Sequence, residues 1–225
     1  IPRLLGIEGR LEANKDKKIV PYKRGGLEVV STGLITDDED TALMWRGLML
    51  SKALEQFLFD VEWGNLDYLV IDLPPGTGDI QMALGRLLPQ TELVVVTTPQ
   101  LSAQKVATRV ADMAKRSFIP LLGVVENMSY FESGDGNKYN IFGKGGGDEL
   151  SQKFGIPLLS KIPISEDSVE ESENGTPILL QKNETPTKEA MQDLVNTIIK
   201  VLPPVSDETC TGRLAKVLEE LEVEA

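Results

Sequence analysis

In YLVIDLPPGTGDIQ (68–81), Asp72 closes a short apolar run, and Pro74, Pro75, Gly76, Thr77 and Gly78 follow soon after. A carboxylate is a hard anionic ligand, suited to Mg2+ directly or through a water. Glycines let the backbone approach a phosphate and offer it N–H groups. The two prolines stiffen the entry to that loop. These residues therefore read as the metal and terminal-phosphate side of a nucleotide site, with Asp72 on Mg2+ and Gly76, Thr77 and Gly78 at the phosphate. Such a loop can sense whether a terminal phosphate is present. The plainer reading is a strand–turn–helix connection with Asp79 as helix cap.

A second candidate is Asn127, at the end of the apolar run LLGVVEN (121–127). Its amide has a donor and an acceptor, matching N6 and N7 of adenine. A turn asparagine tolerating an unusual backbone angle is the alternative.

A nucleotide site also needs a phosphate loop of the form G-x-x-x-x-G-K-[ST]. The nearest string, FGKGGGDEL (142–150), has no Ser or Thr after Gly143-Lys144 and no apolar strand before it. Asp148 and Glu149 stand at its helix start, where they would repel a phosphate. It reads instead as a Gly-rich turn opening a helix whose first-turn acids complement the dipole.

The elements that must position these residues follow from periodicity. LEVVSTG (27–33), DYLVID (67–72), LVVVTTP (93–99), LLGVVEN (121–127) and IPLLSKIP (156–163) read as strands, and residues 1–26 as loop. LVVVTTP is a continuous β-branched run of the kind covered on both faces. A first helix is expected from a cap at Asp40 or Thr41 through the run FLFDV (57–61). Further helices are expected over Asp79–Leu88, over 102–117 with Ser102 as cap, over Asp148–Phe154, and over Thr187–Leu202 after Pro186.

Strands alternating with helices imply βαβ units, hence an α/β fold with a mostly parallel sheet and helices on both faces. Pro203 and Pro204 then break the chain, so residues 1–202 are expected to form one domain and 203–225 a tail. In the tail, Leu214, Val217, Leu218 and Leu221 form an apolar stripe, of a helix packed on the domain or one that binds a partner.

Composition narrows the function classes. The chain has 225 residues, enough for a sizeable core, and a net charge of −12, which disfavours non-specific binding to nucleic acid or anionic membrane. It has one cysteine, Cys210, and no histidine. A His-based triad is excluded, and these residues alone cannot ligate zinc or an iron–sulfur cluster. There is no apolar run of transmembrane length, and IPRLLGIEGR lacks the pattern of a signal peptide.

LDYLVIDLPPGTGDIQ, VTTPQ, VVENMSYF, IFGKGGG and GIPLL together resemble the Mrp/Nbp35 family, P-loop ATPases related to MinD and ParA and involved in iron–sulfur cluster carrying and assembly. The matching motifs run from IPRLLG to about NGTPILL. The resemblance implies a P-loop NTPase-like three-layer sandwich and a nucleotide-dependent homodimer that uses ATP and Mg2+ and serves iron–sulfur apo-proteins; the net charge of −12 and the lack of a terminal basic amphipathic helix count against nucleic acid or membrane as partner. It makes Asp72 the Walker B acid near Mg2+ and DLPPGTGD the switch II loop. It makes Asn127 the adenine-reading residue, with Pro163 and Ile164 near the base.

In the family, the phosphate loop, its helix, the second strand and a further aspartate motif precede the stretch resembling IPRLLG. The chain is therefore expected to be N-terminally incomplete and to lack the Walker A lysine. The intact protein is expected to bind and slowly hydrolyse ATP, and these residues to bind it poorly or not at all. Many members carry C-x-x-C after ENMSYF; here Ser133 and Gly136 stand about there, so the cluster ligands are expected to be absent from this chain. Residues 32–47, TGLITDDEDTALMWRG, are either a capped helix start or, by resemblance, part of the dimer face. SEDSVEESENG (165–175) is a solvated acidic loop or a dock for a basic partner. A cytoplasmic location is expected, with a plastid stroma or other organelle as alternative. The rival functions are a MinD/ParA-type positioning ATPase and a non-catalytic interaction protein that retains the fold.

Overall fold

The computed structural model describes residues 1–35, 47–74, 78–165 and 172–204. The N-terminal stretch, which reads as loop in sequence, contains two small antiparallel pairs. β1 (Glu12–Ala13) pairs with β2 (Ile19–Val20), and β3 (Tyr22–Arg24) with β4 (Leu27–Val29). The strand expected over 27–33 thus stops at Val29, and Thr32–Leu34 is a 3-10 turn in which the Ser31 hydroxyl accepts from the Gly33 N–H. Ile7, Val29 and Leu34 close a small core beneath these pairs. Hydrogen bonds Ile19 N–H to Asp60 O (2.7 Å) and Glu62 N–H to Ile19 O (2.8 Å) tie them to the rest of the chain.

α1 (Gly47–Phe59) and α2 (Gly78–Leu87) pack on each other through Leu54, Ile80, Ala83 and Leu84. The expected caps Asp40 and Thr41 lie outside the described residues. Ile71 and Leu73 join this cluster, but the strand expected over 67–72 does not form: the segment pairs with no strand among the described residues. Val70 is 89 % exposed. A strand needs a neighbour to take its backbone groups, and an apolar run needs cover on both faces. Apolar sequence alone supplies neither. Tyr68 instead anchors the segment by donating its hydroxyl to Leu202 O at 2.6 Å.

β5 (Leu93–Thr97), β6 (Leu121–Glu126) and β9 (Leu158–Lys161) form a parallel sheet in the order β5-β6-β9. Between β6 and β9 the chain makes a short antiparallel hairpin, β7 (Phe131–Glu132) with β8 (Lys138–Tyr139). α3 (Leu101–Arg116) and α4 (Gly146–Phe154) pack against the sheet through Ala107, Ala111 and Leu150, which meet Val95 and Val124. Small residues on α3 allow the helix to approach closely, and each fully buried aliphatic side chain contributes about 1.5–3 kcal/mol. The β5 run has the sequence of a strand covered on both faces. Val96 is nevertheless 60 % exposed, because α3 and α4 pack on the Val95 side of β5 and Val96 points to the opposite face. α5 (Pro186–Val201) lies against β9, with Pro186 in its first turn and the Thr185 hydroxyl accepting from the Lys188 N–H at 3.1 Å.

Ser102, expected to cap α3, lies inside the helix; Gln100 occupies the cap position without a side-chain bond. At the other end, Ile119 N–H bonds Ala114 O (2.9 Å) and Phe118 N–H bonds Lys115 O (3.3 Å). This is a Schellman closure, whose left-handed position usually holds glycine. Phe118 occupies it at φ +57° and is 93 % exposed. Phe118→Gly is therefore expected to stabilise the chain by about 1 kcal/mol, since left-handed strain is relieved and almost no packing is lost. Urea unfolding of the two proteins checks this; a less stable variant would contradict it.

Candidate functional site

The site is built at the carboxyl ends of β5, β6 and β9, where ligands bind in parallel α/β sheets. Asn127 follows β6 directly, and its N–H bonds Thr97 O at the end of β5 (2.7 Å). Ile162 N–H bonds Glu126 O and Ser129 N–H bonds Ile162 O, both at 2.9 Å, while Ile164 N–H bonds Tyr130 O at 2.8 Å. These bonds bring the backbone at Asn127 close to Pro163 and Ile164. Thr187 at the start of α5 fixes that second segment by donating its hydroxyl to Pro163 O at 3.0 Å.

The turn after β6 is tight. Met128 sits at φ +53°, and the Asn127 side-chain oxygen accepts the Met128 N–H at 2.9 Å. Asn127 thus does the work of a turn asparagine. Its side-chain NH2 has no bond among the described residues, so a donor is left for a ligand, and the oxygen keeps a second lone pair.

The metal and phosphate side is less complete. Asp72 is exposed at the end of the unpaired segment rather than at the end of a sheet strand. Gly76 and Thr77 lie outside the described residues, and Gly78 is the first residue of α2. In the first turns of α2, Gln81 is 7 % exposed and its Oε1 has no partner among the described residues. One exposed carboxylate suits Mg2+, which keeps several of its waters. Asp72 belongs to no group of three or more His, Cys, Asp or Glu among the described residues, so a metal there would keep most of its waters.

Gly146 and Gly147 serve packing. A Cβ at Gly146 would lie 2.5 Å from Gln104 Nε2 and 2.8 Å from Pro99 O. One at Gly147 would lie 2.8 Å from Glu126 Cβ and 2.9 Å from Leu158 Cδ1. The glycines let α4 start against the ends of β5 and β6, and Asp148 and Glu149 occupy its first turn as expected. Asp148 also pairs with Lys161 at 2.7 Å.

Ser133 and Gly136 lie in or beside the loop joining β7 to β8. The Asp135 carboxylate accepts from the Ser133 hydroxyl and from the Asn137 side-chain amide (2.6 Å) and N–H (3.3 Å). The Ser133 hydroxyl, then the Asn137 donors, hold the Asp135 carboxyl below its usual range. Among the described residues there is no group of three or more His, Cys, Asp or Glu arranged to hold a metal, and Cys210 lies outside them.

Glu126 and Ser129 lie within VVENMSYF and Gln81 ends YLVIDLPPGTGDIQ, yet neither string gives them a role, and Thr187 lies in no motif. A lone acid in the apolar run LLGVVEN is the available signal for Glu126. No helix among the described residues is long and apolar enough to cross a membrane.

Residues 1–199 match the family described as ParA: NUBPL iron-transfer P-loop NTPase. An iron–sulfur cluster carrier protein of Aquifex aeolicus is 41 % identical over 204 residues, covering 90 % of this chain and 56 % of its own length. A protein of the same name from Saccharolobus solfataricus is 36 % identical over 205 residues, covering 90 % of this chain and 69 % of its own. The chain spans about half the length of several curated relatives it matches. Among solved structures, a nucleotide-binding protein from Archaeoglobus fulgidus in complex with ADP matches with a TM-score of 0.63 and 34 % identity, over 78 % of this chain and 68 % of that one. A parallel sheet flanked by helices, and a family match over most of its length, place the chain in the ParA-type iron-transfer P-loop NTPase family.

Proposed function

We propose that the chain carries the adenine- and metal-contacting part of an ATP-binding, slowly ATP-hydrolysing iron–sulfur cluster carrier. The observation that carries this reading is the convergence of Asn127 with Pro163 and Ile164 at the sheet's carboxyl end, with an amide donor left over. The ADP complex of the Archaeoglobus relative supports it. Asn127 reads the base edge, and Pro163 and Ile164 flank the base. Asp72 holds Mg2+, which neutralises phosphate charge when bound. Gly76, Thr77 and Gly78 offer backbone N–H groups to the terminal phosphate.

The pattern G-x-x-x-x-G-K-[ST] does not occur in the 225 residues, so the phosphate loop is proposed to come from outside them. The protein acts as a homodimer and passes its cargo to iron–sulfur apo-proteins, in a cytoplasm or an organelle stroma. The cargo cluster takes its thiolates from positions other than 133 and 136, whose residues belong to the hairpin.

Isothermal titration with Mg-ATP tests the division of labour. These 225 residues are expected to bind with a Kd weaker than about 0.1 mM, because base contacts act without a phosphate loop. A chain that also carries the phosphate loop is expected to bind micromolar or tighter. Micromolar binding by the 225 residues would overturn the external loop, and no binding by a chain that also carries the loop would overturn the ATP site.

A further inference from the structure

Among the described residues, Glu126 is a charged side chain taken almost fully out of water, at 1 % exposure. Its two oxygens go to different elements. Oε1 accepts the Ser129 hydroxyl at 2.5 Å, within the turn that carries Asn127. Oε2 accepts the Gly147 N–H at 2.5 Å, in the first turn of α4. Its carbonyl accepts the Ile162 N–H, one residue before Pro163. One residue therefore ties the end of β6, the Asn127 turn, the Pro163–Ile164 segment and α4.

Burying a carboxylate is costly, and an apolar residue would suit the strand run LLGVVEN better. What the carboxylate supplies is two acceptors that fix a turn containing a non-glycine residue at φ +53°. Such backbone persists only when its surroundings hold it.

We infer that Glu126 is a positioning residue for nucleobase recognition: its carboxylate holds the 127–129 turn against α4, so that Asn127 meets the base in one preset orientation. This rests on the proposed adenine site. Glu126 touches no nucleotide itself; it acts through Asn127.

The test follows the Asn127 side-chain amide in 1H–15N spectra during titration with adenosine and with guanosine at millimolar concentration. Nucleosides probe base reading without phosphates. The wild-type chain is expected to prefer adenosine. S129A and E126V, with cooperative thermal melts retained, are expected to lose that preference by at least about fivefold. E126Q is expected to keep it within about twofold, because its Oε1 can accept from Gly147 while its NH2 donates to the Ser129 hydroxyl oxygen. A folded S129A with the wild-type preference would overturn the positioning role, even if E126V fails to fold. N127A, followed by the backbone amides of residues 127–129, separates the two levels. Loss of preference in N127A beside an unaffected S129A sinks only the role of Glu126. No adenosine shift in wild type, or an unaffected N127A, sinks the base site as well.

Discussion

Gly147→Ala is expected to destabilise the chain by about 2–3 kcal/mol. The new Cβ would lie 2.8 Å from Glu126 Cβ and 2.9 Å from Leu158 Cδ1, against a side chain that is itself fully buried. Overpacking of this kind costs about 1–3 kcal/mol. Relief requires α4 to move off the sheet, which stretches the Gly147 N–H to Glu126 bond, and hydrogen bonds to charged groups contribute about 1.5–3 kcal/mol. The better helix propensity of alanine returns at most about 1 kcal/mol. Gly134→Ala is the control: a Cβ there meets nothing within 4 Å, so a change within about 0.5 kcal/mol is expected. Urea unfolding of both variants decides the matter. A Gly147→Ala protein as stable as the control would mean that the glycine run is not needed for close packing.

Asp72→Asn is expected to lower ATP turnover of a chain that also carries the phosphate loop by at least about 100-fold, with little change in thermal stability. Removing the anionic ligand weakens the hold on Mg2+ at the point where phosphate charge must be neutralised, and the loss of one well-placed electrostatic group commonly costs about 3 kcal/mol in the transition state. Asp72 is exposed, so the fold has little stake in its charge. Steady-state phosphate release with a parallel melt checks both halves. Turnover within about threefold of wild type would remove Asp72 from the metal site.

Elements whose cues are local are legible in the sequence. α3, α4 and α5 show their helical period or caps, and β5 and β6 their β-branched runs, to within about two residues at their ends. The segment 67–72 has the apolar run of a strand and is not one, because strand formation depends on a neighbour that no local pattern encodes. Val96 is exposed against expectation for a related reason: which face of β5 a helix covers is not encoded in the local run. In the candidate site, resemblance groups Asn127 with Pro163 and Ile164, and the backbone bonds between β6, the turn and the exit of β9 join them. Glu126 is hidden in the sequence because its importance lies in the Ser129 hydroxyl and the Gly147 N–H, 3 and 21 residues away. The string FGKGGG reads as a structural turn from its missing Ser or Thr and its acids, and the lack of room at Gly146 and Gly147 agrees with that.

The adenine site is tested most directly by photolabelling the chain with 8-azido-ATP, with excess ATP as competitor, followed by peptide mapping. The label is expected on peptides containing Asn127 or residues 162–164, and ATP is expected to suppress it. Competable label confined to other peptides, with those two unmodified, would contradict the account.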